Sequence, residues 1–381
     1  MIRATSARER ERRYAALRAA MEEHGYEALV VSGRGDEFMR GRLQYVSDVF
    51  QWAGWGFVVL PESGQATVIA DPLGGFEAAS GDAWVGDVRI TQSPGAVIAE
   101  LLCDQRAANG TIGIAGLADI TTAAHVRELE TALPQATFAD ATDVFDDVRA
   151  LKSEEEIANF EETSAILRSV FTALEAEIRP GVREVDVLAE AHRLCRQYGC
   201  VEGIALMGRP PAAGFGPGTP DSISSDDVIV VDLEWGGPSG YWLELRRCFS
   251  FGPPSDAVRR FWEARVEAFE VCVDAVVVGA SSSDILSARD RVYDRHGLTA
   301  GEEVRYSAHG IGIDSLEPPW VPGKERVLRE GMMLSLHPNV VLDDADAAVY
   351  GGVSVGDNIL VTANGARRMT YDTEEWVTLD A

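Results

Sequence analysis

Lysine is almost missing from this chain. It occurs only at Lys152 and Lys324, and the other basic side chains are arginines and six histidines. With 61 Asp and Glu against 34 Lys and Arg, the formal net charge is −27. A surface of that sign repels phosphate backbones, so a nucleic-acid partner is excluded. Long apolar runs are missing too. None reaches the roughly 18 residues that cross a bilayer, and no membrane partner is expected. Arg3, Arg8, Arg10, Arg12, Arg13 and Arg18 crowd the first twenty residues with no apolar stretch behind them. That is not the pattern of a secretory signal, and the expected location is the cytoplasm. The five cysteines are odd in number and form no CxxC pair. They read as reduced core thiols, and Cys195 and Cys200, though close in sequence, not as a redox pair.

What remains is an ordinary globular composition, 46% hydrophobic and 25% charged over 381 residues, enough for two domains with a core each. Residues 7–24 carry Tyr14, Leu17 and Met21 on one helical face, with Gly25 just beyond. Short strands follow at Ala28–Ser32, Gly56–Leu60, Ala66–Ala70 and Thr111–Ala115, alternating later with helical patterns. This predicts an α/β domain over residues 1–150. The aromatic stretch from Phe50 to Trp55 suits either a pocket lining or core packing, and packing is the simpler reading.

The second domain, residues 151–381, opens with Ser153 and Glu156 at capping-box spacing. Ile157, Phe160, Leu167, Val170, Leu174 and Ile178 form a buried stripe that ends at Pro180-Gly181. A helix over Val185–Tyr198 and strands over Val228–Leu233 and Tyr241–Phe249 come next. The order then recurs. One helix carries Val258, Phe261, Trp262, Phe269 and Cys272, and another carries Ile285, Leu286, Val292 and Tyr293 and stops at Gly297. Strands near Met332–Leu336 and Asn358–Thr362 follow. Two helix-helix-strand-strand halves imply a duplicated domain.

Several segments of this domain resemble one family. They are Asp227–Asp232 followed by Gly240-Tyr241 and Arg247; His309-Gly310-Ile311-Gly312 followed by Glu317-Pro318-Pro319; Glu330–Pro338; and Gly352–Thr362. Tyr45-Val46-Ser47-Asp48-Val49-Phe50 fits the first domain of the same group. Together they resemble the creatinase/proline-aminopeptidase (prolidase-like) family. The resemblance implies a creatinase-like N-terminal α/β domain followed by an α+β domain of duplicated pita-bread type, over nearly the whole chain.

The resemblance also implies a metal site, one that departs from the family pattern. The usual five ligands to two divalent ions fall here on Asp232, Glu244, His309, His337 and Gly356. Gly356 replaces a bridging carboxylate, and two dications side by side need shared anions to offset their repulsion. A single ion held by Glu244, His309 and His337, with Asp232 nearby, is the expectation. Two imidazoles and one carboxylate match the facial triad of non-haem iron enzymes, so Fe(II) is favoured, with Zn or Mn as alternatives. The histidines that peptidases of the family use for proton transfer would fall at Pro217 and Leu316, neither of which titrates. Glu317 is expected to hold a substrate amine or orient His309, and Arg247 to pair with a pocket carboxylate. Tyr241, Trp235, Trp242 and Trp320 suit pocket walls or, more simply, packing.

Each residue has a plain structural alternative: a core histidine for His337, a strand glutamate for Glu244, a turn carboxylate for Asp232, a loop carboxylate for Glu317. Three functions compete. The first is a one-metal enzyme acting on a small amino-acid-like molecule, with either oxygen-dependent or hydrolytic chemistry. The second is a metal-independent C–N hydrolase resembling creatinase or ectoine hydrolase, and the third a non-catalytic binding protein on the same scaffold. A homodimer is the expected assembly by analogy with the family.

Overall fold

The computed structural model describes residues 2–78, 84–301, 307–318, 320 and 323–380. The chain divides into two compact units, Met1–Ala150 and Leu151–Ala381. In the first, Ser6 caps α1 (Ala7–His24) by accepting a hydrogen bond from the Glu9 N–H, and Gly25 closes it at φ 69°. There follow β1 (Ala28–Arg34), α2 (Gly41–Ser47), β2 (Val49–Ala53), β3 (Trp55–Pro61), β4 (Thr67–Ala70), β5 (Gly75–Ala78) and β6 (Asp87–Ile90). The unit ends with α3 (Pro94–Asp104), β7 (Thr111–Ala115), α4 (Ala123–Ala132), β8 (Thr137–Asp140) and α5 (Thr142–Arg149).

Six of these strands form a mixed sheet, in the order β6-β4-β3-β1-β7-β8. Val30, Phe57, Ile69, Ile112 and Ile114 of the sheet pack with Ile98 and Leu102 of α3. The remaining strands, β2 and β5, pair as a ribbon. Trp52 on that ribbon is 53% exposed, so the expected core packing of the aromatic stretch does not extend to it. Cys103 is exposed as well; the other four thiols are buried as expected, and all five are free.

The second unit begins with the capping box read from the sequence. The Ser153 side chain accepts from the Glu156 N–H, and the Glu156 side chain accepts from the Ser153 N–H. The helix it starts, α6 (Glu154–Leu174), buries Phe160, Leu167, Val170 and Leu174 but stops ahead of Pro180. Next come α7 (Glu184–Gln197), β9 (Glu202–Gly208), β10 (Val228–Gly236) and β11 (Trp242–Phe251). The second half supplies α8 (Asp256–Ala275), α9 (Ser282–His296), β12 (Ala308–Gly310), β13 (Met333–Leu336), α10 (Asp344–Tyr350), β14 (Asp357–Thr362), β15 (Gly365–Arg368) and β16 (Trp376–Leu379).

Two four-stranded sheets result, β16-β11-β10-β9 and β12-β13-β14-β15. Each half thus gives a helix pair and then strands, the expected duplication. The last strand crosses back: β16 pairs parallel with β11 over Cys248–Phe251. That pairing stops short of Glu244. Pro319, part of the histidine segment, lies outside the described residues.

Candidate metal centre

The site is built where the two sheets meet. β10 and β11 pair antiparallel with Asp232 opposite Arg246 and Glu234 opposite Glu244. Side chains alternate between faces along a strand, so Asp232, Glu234, Glu244 and Arg246 share one face. The second sheet brings His309 on β12, opposite Ser335 on β13, and His337 one residue past the end of β13. The His337 N–H donates to the Ser307 carbonyl at 3.0 Å, which fixes the turn that presents its ring.

Asn358 of β14 locks the sheets together. Its Nδ2 donates to the Glu244 carbonyl at 2.6 Å, and its Oδ1 accepts from the Glu244 N–H at 3.3 Å. The side-chain amide therefore serves the outward edge of β11 as a neighbouring strand would, at the point β16 does not reach.

Around the Glu244 carboxylate the geometry is close. Its Oε2 lies 3.4 Å from His309 Nε2 and 3.4 Å from His337 Nε2, and it accepts from Ser335 Oγ at 3.1 Å. The two imidazole rings sit 5.1 Å apart at 58°. His309 Nδ1 lies 2.9 Å from the Gly310 carbonyl, which can only accept, so that nitrogen carries the proton. In the neutral ring, Nε2 then turns a lone pair toward a carboxylate. Ligand atoms of Glu244, His309 and His337 all lie within 4.8 Å of one another, and all three residues are buried. Donors about 2.1 Å from one ion stand roughly 3.0–3.5 Å apart, and the two 3.4 Å separations from Glu244 fall in that range. Burial works to raise the Glu244 carboxyl, but with no metal in place protonated His337, the Arg246 guanidinium and protonated His309 hold it well below the usual carboxylate range.

A second cluster shares Glu244. Ligand oxygens of Asp232, Glu234 and Glu244 also lie within 4.8 Å of one another. Arg246 Nε donates to Asp232 Oδ2 at 2.8 Å, and its Nη2 donates to Glu244 Oε1. Asp232 Oδ1 is buried without a hydrogen-bond partner among the described residues. Burial, with the Glu244 charge added, pushes Asp232 up to about 7 against the pull of Arg246. Glu234 is pushed well above its ordinary value by burial and then by Glu244 and Asp232. Gly356 brings no ligand atom.

Two of the expected roles change. Arg247 falls on the other face of β11, its Nη2 3.9 Å from the Glu375 carboxylate and its guanidinium 4.3 Å from the Tyr371 ring centre. The arginine in the pocket is Arg246. Glu317 is a clamp: it pairs with Lys152 and accepts from the N–H groups of Ile313 (2.7 Å) and Asp314 (3.2 Å). It is the Gly310 carbonyl, not Glu317, that orients His309. Tyr241, Trp235, Trp242 and Trp320 are at most 2% exposed, and the Tyr241 hydroxyl donates to Glu156, so packing is their role. Glu234 and Arg246 are the residues that the family motifs pass over. Strand alternation was the available signal for them, since it sets Glu234 beside Asp232 and Arg246 beside Glu244.

Residues 158–363, more than half of the chain, match metallopeptidase family M24. The chain belongs to that family. Residues 13–151 match the creatinase/prolidase N-terminal domain. An Xaa-Pro dipeptidase of Pyrococcus horikoshii is 28% identical over 260 residues, covering 66% of this chain and 71% of the relative. One from Lactobacillus delbrueckii subsp. lactis is 25% identical over 317 residues, 80% of this chain and 83% of its own length. The crystal structure of Dipeptidase PepE from Mycobacterium ulcerans superposes with a TM-score of 0.78 at 25% identity, covering 99% of this chain and 100% of that one. The M24 chain is therefore an enzyme with a creatinase-type first domain and a pita-bread second domain. Its family implies a divalent metal, and Glu244, His309 and His337 form a group able to hold one. Among the described residues no helix is long and apolar enough to cross a membrane.

Proposed function

We propose that this M24 enzyme holds one divalent metal ion through Glu244, His309 and His337 and acts with it on a small amino-acid-like molecule. The observation that carries the reading is the convergence of one carboxylate oxygen and two imidazole Nε2 atoms, each 3.4 Å from that oxygen, in a buried site. The ion would supply Lewis acidity and open coordination positions, and Fe(II) is the favoured occupant because two imidazoles with one carboxylate suit it. The chain's own groups hold this set in place. Gly310 fixes the His309 tautomer, Ser335 steadies Glu244 Oε2, and Asn358 pins the Glu244 backbone. Such supporting contacts orient ligands and tune their basicity.

Pro217, in a cavity of about 480 Å³ with Phe215 and Arg209, offers no proton-transfer group where the family resemblance expects a histidine. That supports chemistry other than ordinary proline-peptide hydrolysis. The likeness to Xaa-Pro dipeptidases favours a second reading, hydrolysis of a small dipeptide at the same centre.

The test is metal analysis of protein purified without oxygen and reloaded with Fe(II), Mn(II) or Zn(II). One equivalent per chain, lost in His337→Ala, is expected. Absence of stoichiometric metal, with turnover indifferent to chelators, would leave the metal-independent C–N hydrolase as the reading. Oxygen uptake against release of free amino acids from a dipeptide panel separates the two metal-dependent alternatives.

A further inference from the structure

Glu244 belongs to two clusters at once, and the second already contains a cation. We propose that Arg246 is the resident second cation of this centre, filling with a guanidinium the place between Asp232 and Glu244 that a second metal ion would need. The inference rests on the one-metal reading above and adds what keeps the count at one.

Three observations carry it. First, the fork of Arg246 spans both carboxylates, Nε to Asp232 Oδ2 at 2.8 Å and Nη2 to Glu244 Oε1. Glu244 is left bridging, with Oε1 on the guanidinium side and Oε2 facing the two imidazoles. A planar guanidinium matches carboxylate geometry and stays charged in any protein setting, so the cluster holds a permanent positive charge.

Second, the guanidinium is enclosed. Arg246 is 6% exposed, its Cζ lies 4.8 Å from the centre of the Phe215 ring, and Nη1 approaches Ser354 Oγ at 3.5 Å. A desolvated cation over an aromatic face, tied to two carboxylates, does not swing aside to admit an ion.

Third, Gly356 is the space both neighbours use. A Cβ there would meet His337 Cβ at 2.9 Å and Arg246 Cδ at 3.3 Å. The Leu336 carbonyl, at 3.2 Å, closes the third side of that space. Of the three neighbours only the Arg246 methylene is specific to this chain's second cation, so a carboxylate at 356 competes with the arginine and is accommodated best when Arg246 is shortened. The chemical consequence is specific: a guanidinium brings charge and N–H donors but no coordination position, so no water can be shared between two ions here.

The experiment counts metal on the full chain. Wild-type protein, Arg246→Ser, Arg246→Lys and the double variant Arg246→Ser/Gly356→Glu are titrated with Mn(II), read by bound-metal analysis and by electron paramagnetic resonance. Wild type and Arg246→Lys are expected to hold one equivalent with the spectrum of an isolated ion. Arg246→Ser should admit a second, at least tenfold weaker, equivalent, and the double variant should tighten it and show spin coupling. One equivalent in wild type with still only one in Arg246→Ser and in any folded double variant overturns the role of Arg246 while leaving the one-metal reading intact. No equivalent in wild type overturns the one-metal reading itself. A coupled pair in wild type with Arg246 in place overturns both, and this arm needs no variant to fold.

Discussion

Asn358→Ala isolates what holds the metal-ligand strand in place. The Asn358 amide satisfies both the N–H and the carbonyl of Glu244, at 3.3 and 2.6 Å, in a position where Asn358 itself is fully buried. The pairing of β16 with β11 covers only Cys248–Phe251, so the strand that might have served Glu244 is already past it. Truncation to alanine orphans two buried backbone groups. Each costs about 1–3 kcal/mol when left unsatisfied, so a loss of about 2–4 kcal/mol is expected after partial relaxation. The same change frees the backbone that aims Glu244, and loss of such a supporting contact weakens metal binding by about 10–100-fold. Urea unfolding followed by tryptophan emission reads the first effect, since Trp235, Trp242, Trp262, Trp320 and Trp376 all lie in the second unit. Competitive metal titration against a chromophoric chelator reads the second. A variant within about 0.5 kcal/mol of wild type, with unchanged metal affinity, would refute the claim that this amide stands in for a strand.

Other expectations concern the reassigned residues and a buried carboxylate of the first unit. Lys152→Met leaves the Glu317 carboxylate buried without its cation and should cost about 3–5 kcal/mol in thermal or urea unfolding; the doubly apolar Lys152→Met/Glu317→Leu is expected to recover part of that only if the loop amides of Ile313 and Asp314 find new acceptors. Arg247→Ala removes a buried side chain that stacks on Tyr371 and should cost about 1–3 kcal/mol in unfolding, chiefly through lost packing, while metal titration stays unchanged, in contrast to Arg246→Ser. Asp146, buried between Arg149 and Arg42, is held at about 2 against its ordinary 3.8, the two guanidinium groups overcoming burial. Its folded pKa is depressed, so its contribution of about 2 kcal/mol is fully present above pH 3.8 and is lost as pH falls toward 2. Acid unfolding of the first unit should therefore lose steepness in that window in Asp146→Asn, and an unchanged profile would count against the pairing.

Much of this architecture was legible in the sequence. Strands Ala28–Ser32, Gly56–Leu60 and Thr111–Ala115, the capping box at Ser153, the αL stop at Gly297 and the duplicated halves all follow from local periodicity and turn chemistry, which act over a few residues. The short strands Glu202–Gly208, Ala308–Gly310 and Trp376–Leu379 were not legible, because each exists only through its partners in a sheet. Within the centre, the family motifs reached Asp232, Glu244, His309 and His337, but placed the pocket arginine one residue late.

That one-residue difference marks the division for this protein. Local pattern and composition by themselves determined the two-unit organisation, the strongly acidic charge balance, and the residue types available to bind a metal. Which face each side chain takes was decided only by the pairing of β10 with β11, because a strand sends neighbours to opposite sides and the register chooses which side meets the second sheet. Glu317 turned to Lys152 and an empty Cβ position at Gly356 beside both Arg246 and His337 are facts of three-dimensional contact. No spacing along the chain contains them.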